Sequence, residues 1–201
     1  MRTLFTLDTH DYDPNGRTVI RPSVRGILIR NGRILMVHSL KYDYYKFPGG
    51  GMEPGESLAE GLCREVREES GMMVDPDSIR EFGLVQRRSR EDEGGVFIQD
   101  NFYFLCEAHK YIGQQLDEYE ADEGFTPEWI TPEYAIETNR FHDHGATEQI
   151  MLEREALVLE RLLIEGYIAL WNLRLLPEVS VCQRTWFLGS PFGGAVMRQH
   201  D

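Results

Sequence analysis

At 201 residues the chain is long enough to bury a core without disulfide or metal staples, and one domain is the default. A formal net charge of −13 argues against non-specific binding of nucleic acid or an anionic membrane, so an anionic substrate would need a cation to approach. The odd cysteine count (Cys63, Cys106, Cys182) has no C-x-x-C pair, and no stretch reaches eighteen apolar residues; the amino end carries acids where an export signal would be basic and then apolar. The expectation is a soluble protein of the reducing cytoplasm.

Residues 1–17 hold one apolar stretch, Leu4 to Leu7, before the turn formers Asp13-Pro14-Asn15-Gly16, and read as an N-terminal arm or edge strand. Ser23–Ile29 and Arg33–Leu40 are β-rich and flank Asn31-Gly32, a pair that favours a tight hairpin. The segment KYDYYK at 41–46 then enters Phe47-Pro48-Gly49-Gly50-Gly51. Tyr42, Tyr44 and Tyr45 can stack on a nucleobase or simply pack, and the three glycines let the backbone approach a ligand.

A helix is predicted from Ser57 to Ser70. Ser57 and Glu60 form a capping box, and Gly71 suits a left-handed cap. Leu58, Ala59, Leu62, Cys63 and Val66 fall on one packing arc, with Glu60, Arg64 and Arg67 opposite. Glu65 and Glu69 lie at the edge of that arc and Glu68 just beyond, on the seam between core and solvent, while Gly61 leaves space beside them. Like charges at these spacings repel, and a divalent cation would reverse the sign. Carboxylate oxygens suit Mg²⁺, with Mn²⁺ as the alternative, and such ions join carboxylates to substrate phosphates.

Gly50, Glu56 and the run Arg64-Glu65-Val66-Arg67-Glu68-Glu69-Ser70-Gly71-Met72, at these spacings, resemble the complete signature of the Nudix hydrolases. The resemblance is tight over 46–72 and looser over 20–165. It implies an α/β/α sandwich with a mixed β-sheet, a Nudix domain over 18–165, and a C-terminal extension over 166–201. It also implies metal binding by Glu65, Glu68, Glu69 and the Gly50 carbonyl, with Arg64 orienting the glutamates and Glu56 supporting loop and helix.

Further along, Ile79–Arg88 and Val96–Glu107 read as strands joined by a polar glycine turn. Arg87, Arg88 and Arg90 can grip a phosphate or pair with nearby acids, and strand alternation keeps Arg87 off the face of the other two. Asp117–Glu128 is an acidic run that reads as a solvated loop. Trp129-Ile130 resembles the late strand of the family, which makes Glu123 or Glu120 a candidate further metal ligand. Thr131–Glu137 and Thr147–Ile164 are the remaining helices, the second containing the pair Arg154-Glu155. His142-Asp143-His144 can chelate zinc, although turn or rim roles suit a Mg²⁺ enzyme better.

The resemblance implies hydrolysis of a diphosphate bond in a small nucleotide-type substrate, either a nucleoside diphosphate linked to another group or a nucleoside triphosphate. Glu65 is the first choice of general base, with Glu120 or Glu123 next, and Arg88, Tyr45 and Lys46 are the candidate substrate contacts. The proline, tyrosine and upstream marks of particular sub-families are missing, so the bond is named and the compound is not. The alternative is a Nudix-fold module that senses a nucleotide without cleaving it. Residues 166–201 suit a cover strand, a homodimer contact or a tail.

Overall fold

Asn31 and Gly32, with φ of 51° and 73°, make the tight turn that their sequence favours. The hairpin they close is shorter on one side than expected, because Ser23–Ile29 does not run as one strand. In the computed structural model, which describes residues 1–145 and 147–168, β3 (Ser23–Ile27) and β4 (Ile29–Arg30) belong to different sheets. Leu28 is the crossover point, its carbonyl accepting the Leu35 N–H at 3.0 Å.

The first sheet contains β1 (Thr3–Asp8), β2 (Thr18–Ile20), β3, β8 (Arg80–Arg90) and β9 (Val96–Leu105). Strands β8 and β9 are antiparallel, β1 runs parallel to β8, and β2 and β3 run parallel to β9, so the sheet is mixed. The second contains β4, β5 (Arg33–Ser39), β6 (Tyr44–Lys46) and β11 (Phe125–Ile130), all antiparallel. A two-stranded ribbon pairs β7 (Met72–Val74) with β10 (Ala108–Tyr111).

Helix α1 (Leu58–Ser70) buries Leu62 and Val66 against Val24, Leu28, Leu35 and Phe104. On the other side, α3 (Pro132–Phe141) and α4 (Gln149–Ile164) bury Ala135, Val158, Leu159 and Leu162 against Ile27, Ile34, Tyr45, Phe47 and Tyr103. The layering is the expected α/β/α arrangement. The acidic run expected as a loop instead forms the short helix α2 (Glu118–Glu123), with Glu120 reaching back to the Asp117 N–H and Gly124 as its left-handed cap. None of the helices among the described residues is long and apolar enough to cross a membrane. The expected extension lies outside the described residues beyond 168.

Candidate active site

The site begins with local chemistry in α1. The Glu60 N–H donates to Ser57 Oγ at 3.3 Å, and the Ser57 N–H donates to Glu60 Oε2 at 2.9 Å, closing the capping box. At the other end Gly71, with φ of 69°, donates its N–H to the Arg67 carbonyl at 2.8 Å. Between these ends the helical spacing sets Arg64, Glu65, Glu68 and Glu69 beside the glycine loop.

Arg64 is the hub. Its Nε and Nη2 fork onto Glu56 at 2.7 and 3.0 Å, Nη1 reaches Glu65 at 2.8 Å and Glu68 at 3.1 Å, and Nη2 also holds the Gly51 carbonyl at 2.9 Å. The guanidinium holds the Glu56 carboxyl below its ordinary range, and those partners, Glu56 first, raise Arg64 further.

The loop packs against β3 through its backbone. The Val24 N–H donates to the Gly50 carbonyl at 3.0 Å and the Gly26 N–H to the Pro48 carbonyl at 2.8 Å. Gly49, at φ of 143°, lies so close to β3 that a Cβ there would sit 2.1 Å from the Val24 carbonyl oxygen. A Cβ on Gly50 would lie 2.4 Å from Glu65 Oε2, so bare backbone at this position is what lets the carboxylate rest on the loop. The space at Gly61 is taken by Met52 and Glu56 of the chain itself.

Glu69 is not on the seam. It is 1% exposed, accepting from Lys46 Nζ at 2.6 Å and from the Gly49 N–H at 2.8 Å. Burial pushes its carboxyl up to about 7 against the opposing pull of Lys46 and Arg25. Glu65 is also raised by burial, opposed first by Arg64. Each glutamate of the trio therefore has a cationic partner, and among the described residues no three His, Cys, Asp or Glu side chains are grouped closely enough to hold a metal. The chemistry of the donors still suits a hard cation: carboxylate oxygens and backbone carbonyls, with no thiol or imidazole among them.

The three expected substrate contacts do not lie together. Lys46 and Tyr45 are adjacent on β6, so they face opposite sides of the sheet. Lys46 turns to Glu69 and lies 4.4 Å from the Phe125 ring centroid, whereas Tyr45 enters the core under α3, stacked on His38 at 4.3 Å with its hydroxyl donating to Glu128. Arg88, on the five-stranded sheet, is exposed and donates to Gln86 at 2.8 Å, making no hydrogen bond to the loop or α1. His142 pairs with Asp43, and buried His144 spans the carbonyls of Tyr42 and Thr138, so this triplet ties loops together.

Glu123 accepts from Ser39 Oγ and the Tyr44 hydroxyl, and Glu120 from the Asp117 N–H and the Tyr119 hydroxyl. Burial raises both tyrosines; Glu69 adds to the effect on each, and Glu65 to that on Tyr119, so both hydroxyls lie in the field of the α1 carboxylates.

Sequence reasoning missed Arg25. This buried side chain of β3 donates to the Gly49 carbonyl and leaves its Nε–H without a partner, and its charge acts on both Glu65 and Glu69. A lone arginine inside the short strand SVRGI was the available signal. Beneath the loop, Glu155 accepts the Phe47 N–H at 3.1 Å and pairs with Arg154, itself held by Asn101 at 2.9 Å.

Fold and site together define a small α/β/α protein organised around a glycine loop and a carboxylate-bearing helix. The family model described as NUDIX domain matches residues 19–150, and the chain belongs to that family. It is 30% identical over 140 residues to an RNA pyrophosphohydrolase of Xanthomonas campestris pv. campestris, covering 62% of this chain and 64% of the relative. A second relative of the same name, from Xylella fastidiosa, is 29% identical over 137 residues, covering 62% of this chain and 70% of the relative. The chain thus spans less than two thirds of the length of the Xanthomonas relatives. Among solved structures, a NUDIX hydrolase from Nitrosomonas europaea superposes with a TM-score of 0.50 at 19% identity, covering 68% of this chain and 88% of that one, which shows the shared fold.

Proposed function

We propose that this chain is a metal-dependent pyrophosphohydrolase, cleaving the diphosphate bond of a nucleotide-type substrate by attack of water. The observation that carries the reading is the Arg64 hub: one guanidinium fixes Glu56, Glu65, Glu68 and the glycine loop as a unit. Turned from their present partners Arg64 and Lys46, Glu65, Glu68 and Glu69, with the Gly50 carbonyl, would hold Mg²⁺ or Mn²⁺, and Glu120 or Glu123 would supply a further oxygen. Bound there, the cation would supply Lewis acidity and a water of lowered pKa.

The chain's own residues do the rest. Glu65, its carboxyl raised by burial, is suited to take a proton from water, because a weaker acid is a stronger base. Arg64 keeps Glu65 and Glu68 turned toward the loop. Arg25 and Lys46 bring positive charge beside the carboxylates and offset the repulsion that a diphosphate meets in a chain of net charge −13.

The name of the Xanthomonas relatives adds a pyrophosphate-bearing RNA end to the substrates worth testing. The acidic surface offers little to hold the rest of an RNA, so a nucleotide-sized substrate comes first. Free thiols at Cys63 and Cys106 suit a reducing, cytoplasmic location.

The test is product release from nucleoside triphosphates, nucleotide sugars, ADP-ribose, dinucleoside polyphosphates, coenzyme A and a 5′-triphosphate oligoribonucleotide, each with Mg²⁺, Mn²⁺ or chelator. Metal-dependent cleavage of one class is expected. Nucleotide binding without cleavage anywhere would overturn the enzyme in favour of a sensor.

A further inference from the structure

Past the C-terminal end of α1, beside β4, β10 and β11, lies a cavity of about 560 Å³, within the size range of small-molecule sites. Its charge is opposite to that of the chain. Acidic residues outnumber Lys and Arg by 34 to 21 overall, yet Arg30, His109 and Lys110 line this cavity and no Asp or Glu does. Among the described residues none of the three is in an ion pair.

The cavity also has an aromatic platform. The Arg30 guanidinium lies over Trp129, 4.8 Å from the ring centroid, and is anchored by donating to the Ala108 carbonyl at 3.3 Å. Tyr111, 62% exposed, stands beside it. A guanidinium fixed on an indole offers a flat cationic face of the kind on which nucleobases stack.

We propose that this cavity is a second nucleotide site, with the base on the Arg30–Trp129 platform and the phosphate on His109 and Lys110, neighbours that the pairing irregularity between Ala108 and Lys110 frees from strict strand alternation. Inorganic phosphate alone would leave the aromatic platform unused, and an acyl chain would leave Arg30 and Lys110 unpaired. The site is separate from the loop and from Glu65 and Glu68. It touches the catalytic region through Gln114, whose side-chain amide donates to the Glu69 carbonyl at 2.6 Å and the Phe125 carbonyl at 3.0 Å. The nucleotide is either a free molecule or, resting on the proposed hydrolase reading, the distal nucleoside of a longer substrate whose diphosphate lies at the loop.

The experiment is calorimetric titration of the full chain with AMP, GMP and CMP in chelator. A monophosphate has no diphosphate to cleave, so the outcome is independent of the proposed hydrolysis. Arg30→Gln and His109→Gln/Lys110→Gln alter exposed side chains and leave the fold intact, and each should weaken binding roughly tenfold while Glu65→Gln does not. No binding by the wild-type chain at about millimolar nucleotide, or Arg30→Gln and His109→Gln/Lys110→Gln binding as the wild type does, would overturn the proposal. Loss on Glu65→Gln alone would overturn it too, by moving the ligand to the cleft. Kinetics then separate the sources. A raised KM in Arg30→Gln only for substrates with a second nucleoside supports the distal group. Modulation of triphosphate turnover by added monophosphate, lost in Arg30→Gln, supports a free nucleotide.

Discussion

Replacing Gly50 by alanine separates the site from the fold. The added methyl would lie 2.4 Å from Glu65 Oε2, 2.7 Å from its carboxyl carbon and 2.8 Å from Oε1, and these are all atoms at the end of a flexible side chain. The carboxylate must retreat by about 1 Å to reach ordinary contact distance, and its Oε1 is also held by Arg64 Nη1 at 2.8 Å, so retreat strains or breaks that bond. The backbone at Gly50 is outside the left-handed region, so alanine itself is tolerated. Stability should stay within about 1 kcal/mol of wild type, while kcat/KM falls roughly 100-fold, the usual cost of a misplacement of that size. Gly49→Ala is the contrast: its methyl would meet the Val24 carbonyl oxygen at 2.1 Å at a φ of 143°, and backbone cannot swing aside. That variant should lose about 2–4 kcal/mol of stability. Urea denaturation and steady-state kinetics on the substrate found in the panel give both numbers. A Gly50→Ala enzyme with wild-type kcat/KM, or one whose activity falls only with its folded fraction, would refute the placement of Glu65.

Glu69→Gln should lose most metal-dependent turnover while remaining folded, and it carries a second readout in pH. Burial raises the Glu69 carboxyl from 4.5 to about 7, so its contribution to stability is complete below about 4.5 and is lost as pH rises toward 7. Wild type should therefore lose stability relative to Glu69→Gln across that window, and parallel pH profiles would contradict the buried carboxyl. Glu56 has the opposite sign: Arg64 holds it below 4.5, so its contribution is present above that value and disappears on further acidification. Glu56→Gln should accordingly be less sensitive to acid than wild type in thermal melts. Arg154→Met leaves Glu155 wholly buried without its cation and should cost about 3–5 kcal/mol in urea denaturation; a loss below about 1 kcal/mol would mean that Asn101 and the Phe47 N–H do not depend on the pair.

Features set by neighbouring residues could be read before any fold was known. The capping box of Ser57 and Glu60, the left-handed Gly71 and the Asn31-Gly32 turn each involve groups within a few positions of one another. The Arg64 hub was half legible. Its contacts with Glu65 and Glu68 follow from helical spacing, and Glu56 stands eight residues away, but the bond to the Gly51 carbonyl needs the loop folded back on the helix. The acidic run at 117–123 misled because composition suggests solvent, whereas Asp117, Glu120 and Gly124 supply both helix caps.

The sequence by itself determined the helix, its boundaries and the carboxylates that ride on it, because backbone hydrogen bonds and caps act over one or two turns. The tertiary structure alone decided which strand face meets α1, sending Lys46 to Glu69 and Tyr45 into the opposite core. It also brought Arg25 to Gly49 and Glu155 to Phe47, and it gathered Arg30, His109, Lys110 and Trp129 around one cavity. The bonds Lys46–Glu69, Arg25–Gly49 and Glu155–Phe47 join residues 23, 24 and 108 positions apart, and strand register sets them: shifting a strand by one residue would exchange every face.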